Sequence, residues 1–545
     1  MIGALTRRDG RAARASVAEV MDCPYFWWIC FTIGFALAAA ALPTDGSYDL
    51  KNYHLYNGFA VFHDRRALDI APAQLQTGYF YGLDAVYDLL FTSLNRHPTL
   101  INLLLSIPYS VAATMLFLIA RLFARHAFVG PNLVSAAAAV FGLTGAATFP
   151  TLATTQSELV PGLAILIALA RWLVLENERR NTISSALVTG GLASVSVGLK
   201  LTEAPLFVGM AVAIALRFAT GKRSALLEAF AFGLGGLIVF AALDGAWLWG
   251  NVKAYGNPIF PYMNNLFHSD LIAPGSWTDG RFMPKTALMA AFYPAYWAFH
   301  RSTDVSELPM RDPRILLGCA SALVVVLAFT GRWLRQRTPP SIGSFDSLAL
   351  FLGIAFLVSC TLWEKVWSIY RYLAIQESLS GVLVLAALPI VFGARGKPLL
   401  LSGLFALAVI WTARTTYYPW WDRAQRGREA ISVQLPPLER DAMVLFLDSQ
   451  PYAYLVPSMP ISARAIGVNN NLVHPGASGR LWSMIEGVVR DHRGPLWGVE
   501  DPADDPGVAD VSLSSLRLAR DSECFPLIAN LEAARQIKIC KLRRE

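Results

Sequence analysis

Long apolar runs separated by short polar connections set the pattern of this chain. Eleven stretches stand out: 24–42, 99–121, 131–149, 156–175, 183–199, 203–219, 224–246, 314–331, 345–363, 373–393 and 398–414. Each approaches the roughly 20 residues that a helix needs to cross a hydrocarbon core. The alternation lapses in three places, at 43–98, at 247–313 and after about 415. The pattern predicts an α-helical multispanning membrane protein of about eleven transmembrane helices over residues 1–414, with a small soluble α/β domain at 415–545. In that tail, Met443-Val-Leu-Phe-Leu447, Pro495-Leu-Trp-Gly-Val499 and Gln536-Ile-Lys-Ile-Cys540 read as strands and Leu481 to Val489 as a helix.

Charge orients the spans. With the N-terminus inside, each inner connection carries at least two basic residues: Arg121 and Arg125; Arg179 and Arg180; Lys222 and Arg223; Arg332, Arg335 and Arg337; Arg395 and Lys397. The positive-inside rule then places 43–98, 247–313 and the tail outside, at a bacterial inner membrane with its outer face in the periplasm. Arg7, Arg8, Arg11 and Arg14 precede the first run, and Pro43-Thr-Asp45 follows it in place of a small-residue cleavage site, so this run reads as an uncleaved span.

Composition agrees: 54% of residues are hydrophobic and 16% charged, against about 25% charged in soluble domains. The net charge of +7 could suggest a nucleic-acid partner, but the basic residues lie in short loops between apolar runs, where the positive-inside rule explains them, so that partner is rejected. Of six cysteines, Cys23, Cys30, Cys319 and Cys360 lie in or beside apolar runs as packing residues. Cys524 and Cys540 lie in the tail, where an oxidising compartment would let them pair. No cysteine spacing suits a metal, and Asp501-Pro-Ala-Asp504-Asp505-Pro reads as a turn.

The chemistry gathers on the outer side. After the first span the chain reads Asp45-Gly-Ser-Tyr-Asp49-Leu-Lys-Asn52-Tyr53-His54-Leu-Tyr56-Asn57. If 49–63 is helical, Asp49, Asn52, Tyr53, Tyr56 and Asn57 share one stripe. The same loop carries Asp69, Gln76 and Asp84, of which Asp69 and Asp84 are candidates to assist binding, while Asp88 reads as a helix-face residue. Lys200 is an intramembrane-edge cation whose nearest acid in sequence is Glu203; such residues warrant a functional hypothesis. Glu158 opens the fourth span and Asp244 ends the seventh. Arg281 and Arg311 are candidate anion ligands with Asp279 and Asp312 beside them. Arg371, among Trp367, Tyr370 and Tyr372, presents a guanidinium suited to a phosphate, and Gln376 and Glu377 within the next span predict a cavity-facing surface.

Carboxylates, cations and aromatics at one membrane edge suit transfer of a sugar from a polyprenyl phosphate. The leaving group needs no strong acid; the reaction needs a base for the acceptor hydroxyl and cations for the departing phosphate.

The membrane portion, about 20–414, resembles the GT-C superfamily of integral-membrane glycosyltransferases, with aminoarabinose transferases and protein O-mannosyltransferases as relatives. Tyr48-Asp49-Leu-Lys-Asn-Tyr-His-Leu-Tyr-Asn57, Gly198-Leu-Lys-Leu-Thr202, Tyr255-Gly-Asn-Pro-Ile-Phe-Pro261 and Tyr370-Arg-Tyr372 resemble segments of a bacterial group of this type. The resemblance implies a GT-C-like fold and a catalytic acid in the first outer loop, a role that falls on Asp49 or Asp45. The implied enzyme is an inverting glycosyltransferase taking a polyprenyl-phosphate-sugar donor and a glycan, lipid or glycoconjugate acceptor. Asn52, Tyr53, His54, Asp69, Gln76, Lys200, Arg281 and Arg371 would bind substrate. Some relatives hold a divalent metal at the first-loop acid; no second ligand set stands out here. The rival expectations are an O-antigen polymerase or ligase using a pyrophosphate-linked donor, and a lipid-linked sugar transporter or flippase.

Overall fold

The computed structural model describes residues 23–336, 344–503, 507–532 and 535–545. The N-terminal arginines, Arg337 and the Asp504-Asp505 pair lie outside the described residues. Among the described residues, thirteen α-helices of eight residues or more precede the tail sheet and position the site: α1 Pro24–Ala41, α2 Leu55–Phe62, α3 Gly82–Leu94, α4 Pro98–Ala124, α5 Pro131–Leu143, α6 Leu159–Asn177, α7 Ile183–Leu199, α8 Ala204–Leu216, α9 Ala225–Tyr255, α10 Arg314–Gln336, α11 Ser344–Val366, α12 Ala374–Phe392 and α13 Pro398–Thr415. Helices of four to seven residues between α9 and α10 are left unnumbered.

Nine helical stretches among the described residues are long and apolar enough to cross a membrane, in place of the eleven expected. The two that fall short are α5 and α7. α5 stops at Leu143 because residues 144–157 break into turns around Gly145 and Pro150. α12 is the hub, with 78% of its most apolar window buried; α1 and α13 are peripheral, at 17% each. Ile33 and Leu37 on α1, Phe230 and Leu237 on α9, and Leu399 and Leu407 on α13 are exposed. So wide an apolar surface does not belong in water; the chain is a multi-pass membrane protein.

Inside the bundle, small residues set helix spacing. Gly190 of α7 lies against the Phe232 carbonyl of α9, and Gly235 of α9 lies against the Leu187 carbonyl of α7, so a Cβ on either would collide with backbone. Such reciprocal small-residue contacts let helices approach closely where lipid offers no hydrophobic drive.

The tail forms a five-stranded mixed sheet. With β1 Val433–Gln434, β2 Met443–Phe446, β3 Arg464–Gly467, β4 Leu496–Glu500, β5 Leu518–Pro526, β6 Ile528–Ala529 and β7 Lys538–Arg544, the order is β3-β2-β4-β7-β5. β3, β2 and β4 are parallel and β7 and β5 antiparallel. Helices α14 Arg480–Asp491 and α15 Val508–Ser515 complete the α/β unit. The last predicted strand is real but shifted, since β7 begins at Lys538.

Cys524 and Cys540 face each other across β5 and β7 and form a disulfide. A Cys524→Ser/Cys540→Ser variant is expected to lose about 3 kcal/mol of tail stability, by the loop-entropy argument for a closed loop of this length. Thermal unfolding should show a lower midpoint than the parent and no further drop on adding reductant.

The tail is locked to the bundle's loop end. Arg423 donates to the Pro43, Pro150, Leu152 and Ala153 carbonyls. Buried Lys51 pairs with Glu532 at 2.9 Å. Arg65, fully buried, forks onto Asp69 and donates to the Ile461 and Ala463 carbonyls, both at 2.6 Å. Ile70 bridges Ile466 in parallel, covering the β3 edge.

Candidate functional site

The segment after α1 is helical from Tyr48, but over Leu50–His54 it widens into a π-turn, closed by Leu55 N–H donating to the Leu50 carbonyl. π-turns redirect side chains and recur at functional sites. Here the wider turn splits the expected stripe. Tyr53 still meets Asp49, its hydroxyl 3.2 Å from Oδ2. Asn52 instead donates to Gln76 Oε1, Asn57 to Asp84 Oδ2 and Tyr56 to Asp69.

Beside this segment lies an open cavity of about 250 Å³. Its wall is built by the first loop (Tyr53, His54, Tyr79, Phe80, Asp84), the α5–α6 connection (Thr155, Ser157) and the α7–α8 turn (Gly198 to Thr202). α9 adds Asp244 and Trp247, the second loop adds Ile259, Phe260, Tyr262 and Met263, and the α11–α12 connection adds Val366, Trp367 and Tyr372. Tyr79 and Tyr262 share a hydroxyl–hydroxyl hydrogen bond. Burial pushes the Tyr53, Tyr79 and Tyr262 hydroxyls well above the ordinary phenol value, so they are neutral donors. Aromatic faces with hydroxyls between them suit a ligand that is partly apolar and partly polyhydroxylic.

Three charged constellations adjoin this wall. Arg371 reaches Asp49 Oδ2 with Nη1 at 2.9 Å, joining residues 322 apart in sequence. Asp49 stands one side chain behind the lining, through Tyr53, and its Oδ1 accepts no hydrogen bond from the described residues. Burial pushes its carboxyl up; Arg371, then Lys200 and His54, pull it down, and the cations win, holding it below the usual carboxylate range. The Arg371 Nε is buried and has no partner among the described residues, and its guanidinium lies over Tyr372 and Trp421. Lys200 Nζ lies 2.6 Å from Glu158 Oε1. The partner is thus Glu158 rather than Glu203, which is buried against α6 beside Gly162. His54 Nδ1 lies 2.6 Å from Asp84 Oδ1, and its Nε2 has no partner among the described residues.

Other predicted residues stand elsewhere. Asp45 does not line the cavity. It is fully buried and its carboxylate accepts from the Ser47 N–H and from the Thr155 N–H and hydroxyl. It fixes the connection that carries Thr155 and Ser157 to the wall. Asp69 is held by Arg65 and by the Ala465 N–H of β3, so it ties loop to tail. Gln76 supports Asn52 and Asn57 from behind. Arg281 is exposed, chelated to Asp279 and off the lining. Arg311 does not pair with Asp312: it donates to the Thr415 carbonyl, while Asp312 takes Arg314. Gln376 and Glu377 face protein rather than a cavity. Glu377 accepts from the Ala147 and Thr148 N–H groups, the Thr148 hydroxyl and Tyr370, and Gln376 donates to Ser359.

The His54–Asp84 pair is the feature that sequence reasoning missed: the two residues are 30 apart on separate helical segments, and no spacing rule joins them. Among the described residues no group of three or more His, Cys, Asp or Glu is placed to hold a metal. No protein-family model, curated protein or solved structure matches the chain.

Proposed function

We propose that the protein is an inverting glycosyltransferase of the bacterial inner membrane, moving a sugar from a polyprenyl phosphate to a cell-envelope acceptor. The observation that carries this reading is the Asp49–Arg371 pair, held directly behind Tyr53 and Tyr372 in the lining of an apolar, aromatic cavity that Lys200 also lines. An isoprenoid needs the apolar wall and a phosphate needs the cations. A hydroxyl nucleophile needs the carboxylate.

In the proposed step the acceptor oxygen attacks the anomeric carbon and the bond from that carbon to the phosphate oxygen breaks. The phosphate leaves with the bonding pair and is stabilised by Arg371 and Lys200. The hydroxyl proton passes to Asp49 through Oδ1. Arg371 has a double role in this scheme. Before the donor arrives it neutralises Asp49; once it turns to the phosphate, burial acts on Asp49 with less opposition and the carboxylate becomes a better base. The tail disulfide supports an oxidising compartment for the loop end, as the outer face of an inner membrane requires.

The test is transfer by the full chain reconstituted in liposomes, with radiolabelled undecaprenyl-phosphate glucose, galactose or mannose as donors and envelope extract as acceptor. The expected result is label in a water-stable glycoconjugate with stoichiometric undecaprenyl phosphate. Label crossing the bilayer with the lipid-sugar bond intact would replace this reading with the flippase, and transfer only from a pyrophosphate-linked donor would replace it with the polymerase or ligase. Lys200→Met is expected to raise the KM for donor more than tenfold with a smaller change in kcat. An unchanged KM would remove Lys200 from donor binding.

A further inference from the structure

Asp244 makes no hydrogen bond or ion pair with any described residue, although it is 1% exposed. It lies on α9, within an apolar membrane-spanning stretch, and lines the cavity. A buried carboxyl without partners is costly, and buried polar groups in folded proteins are almost always satisfied. Two packing facts show that the position is accommodated rather than accidental. Gly198 of α7 lies so close to Asp244 Oδ2 that a Cβ there would collide with it, so the glycine leaves the carboxyl its space. Trp247, one helical turn further along α9, donates its indole N–H to the Gly78 carbonyl, which fixes this face of the helix against the first loop.

The cavity around Asp244 supplies aromatic and aliphatic surface from Phe80, Leu83 and Trp247, and the lysine on its lining, Lys200, is already engaged by Glu158. What the carboxyl lacks is a donor, and a ligand hydroxyl supplies one. Oδ2 is enclosed against Gly198, which leaves Oδ1 to accept from a hydroxyl in the cavity while the ring faces rest on aromatic side chains. We infer that Asp244 is the sugar-recognition residue of the cavity, accepting a hydrogen bond from a hydroxyl of a carbohydrate, with Gly198 holding the space for it. This rests on the transfer reading above and adds to it a sugar subsite next to the Lys200 turn, apart from the base and the phosphate cations.

The test is equilibrium binding to the detergent-solubilised full chain, followed by fluorescence of the cavity tryptophans. The probes are undecaprenyl phosphate and its glucose, galactose and mannose derivatives. The wild type is expected to bind at least one of the three sugar lipids about tenfold or more tightly than the bare lipid phosphate. Asp244→Asn and Gly198→Ala are each expected to erase that margin and to leave bare-phosphate affinity within about twofold. Gly198→Ala leaves the carboxyl chemically intact but displaces it, and retained bare-phosphate affinity in both variants separates a lost sugar contact from a misfolded helix. A margin that survives both substitutions overturns the inference, as does a wild type that binds none of the sugar lipids better than the bare phosphate. Failure to bind any of the four lipids would overturn the transfer reading itself.

Discussion

Asp49→Asn is expected to lower transfer by about 10²–10⁴-fold, the range that a lost general base produces, while leaving the fold intact. The amide keeps the shape of the carboxylate and still accepts from Tyr53, so the π-turn should survive. Asp49→Ala should do more, because Arg371 would stay largely buried with its principal partner gone. Removing one partner of a buried pair costs about 3–5 kcal/mol. The pH dependence follows from the same contacts. Burial favours the neutral acid and the cations favour the carboxylate, with the cations ahead. Asp49 therefore contributes stability above the ordinary unfolded value of about 3.9, and that contribution is lost only as pH falls through the lower folded value. The acid limb of kcat/KM should likewise lie below the ordinary carboxylate range. In Arg371→Gln, burial faces weaker opposition and the limb should move upward. The height of that profile will also drop through lost phosphate binding, so its shape is the readout. Identical limbs in the two proteins would remove Arg371 as the group that tunes Asp49.

The second large effect is structural. Arg65→Ala is expected to destabilise the protein by about 3–5 kcal/mol, since it leaves Asp69 buried without its counter-charge, held only by the Ala465 N–H and the Tyr56 hydroxyl. Burial already pushes the Asp69 carboxyl above its ordinary value even with Arg65 present. The loss should appear as a lower unfolding midpoint in detergent and as faster proteolysis of the tail. Arg65→Met/Asp69→Leu should recover most of it, because an apolar pair of similar volume removes both desolvation costs. A double variant as unstable as the single one would show that the carbonyl contacts to Ile461 and Ala463, and not the ion pair, carry the energy.

The helices were legible because burial in lipid demands unbroken apolar runs, and β2, β4 and β7 of the tail because short apolar runs ended at turn residues. β3 and β5, the two edge strands, were not legible, since charged residues interrupt β5 and β3 is only four residues long and opens on Arg464. α5 and α7 look like spans by composition; where each helix ends depends on local turns that hydropathy does not report. Around the site, sequence proximity held for Arg281 and Asp279 but misled for two other pairs. Asp312 is next to Arg311 but pairs with Arg314, and Lys200 is three residues from Glu203 but pairs with Glu158 on another helix. Asp49 and Arg371 were each legible as polar residues at membrane edges. Their pairing was not, because it depends on how the α11–α12 connection folds back over the first loop. The stripe through 49–57 assumed a regular α-helix, and one π-turn was enough to send its members to Gln76, Asp84 and Asp69 instead.

Ile70 sits beside Ile466 as though it were one more rung on the tail's sheet. Two regions that look separable on a sequence map are therefore a single mechanical part. Truncating the chain before β1 would not free an independent module but would strip the first loop of its backing, and grafting in a foreign tail would leave that loop with no seat. A hybrid of two such proteins should tolerate exchange only when residues 65–75 travel with the tail they dock on.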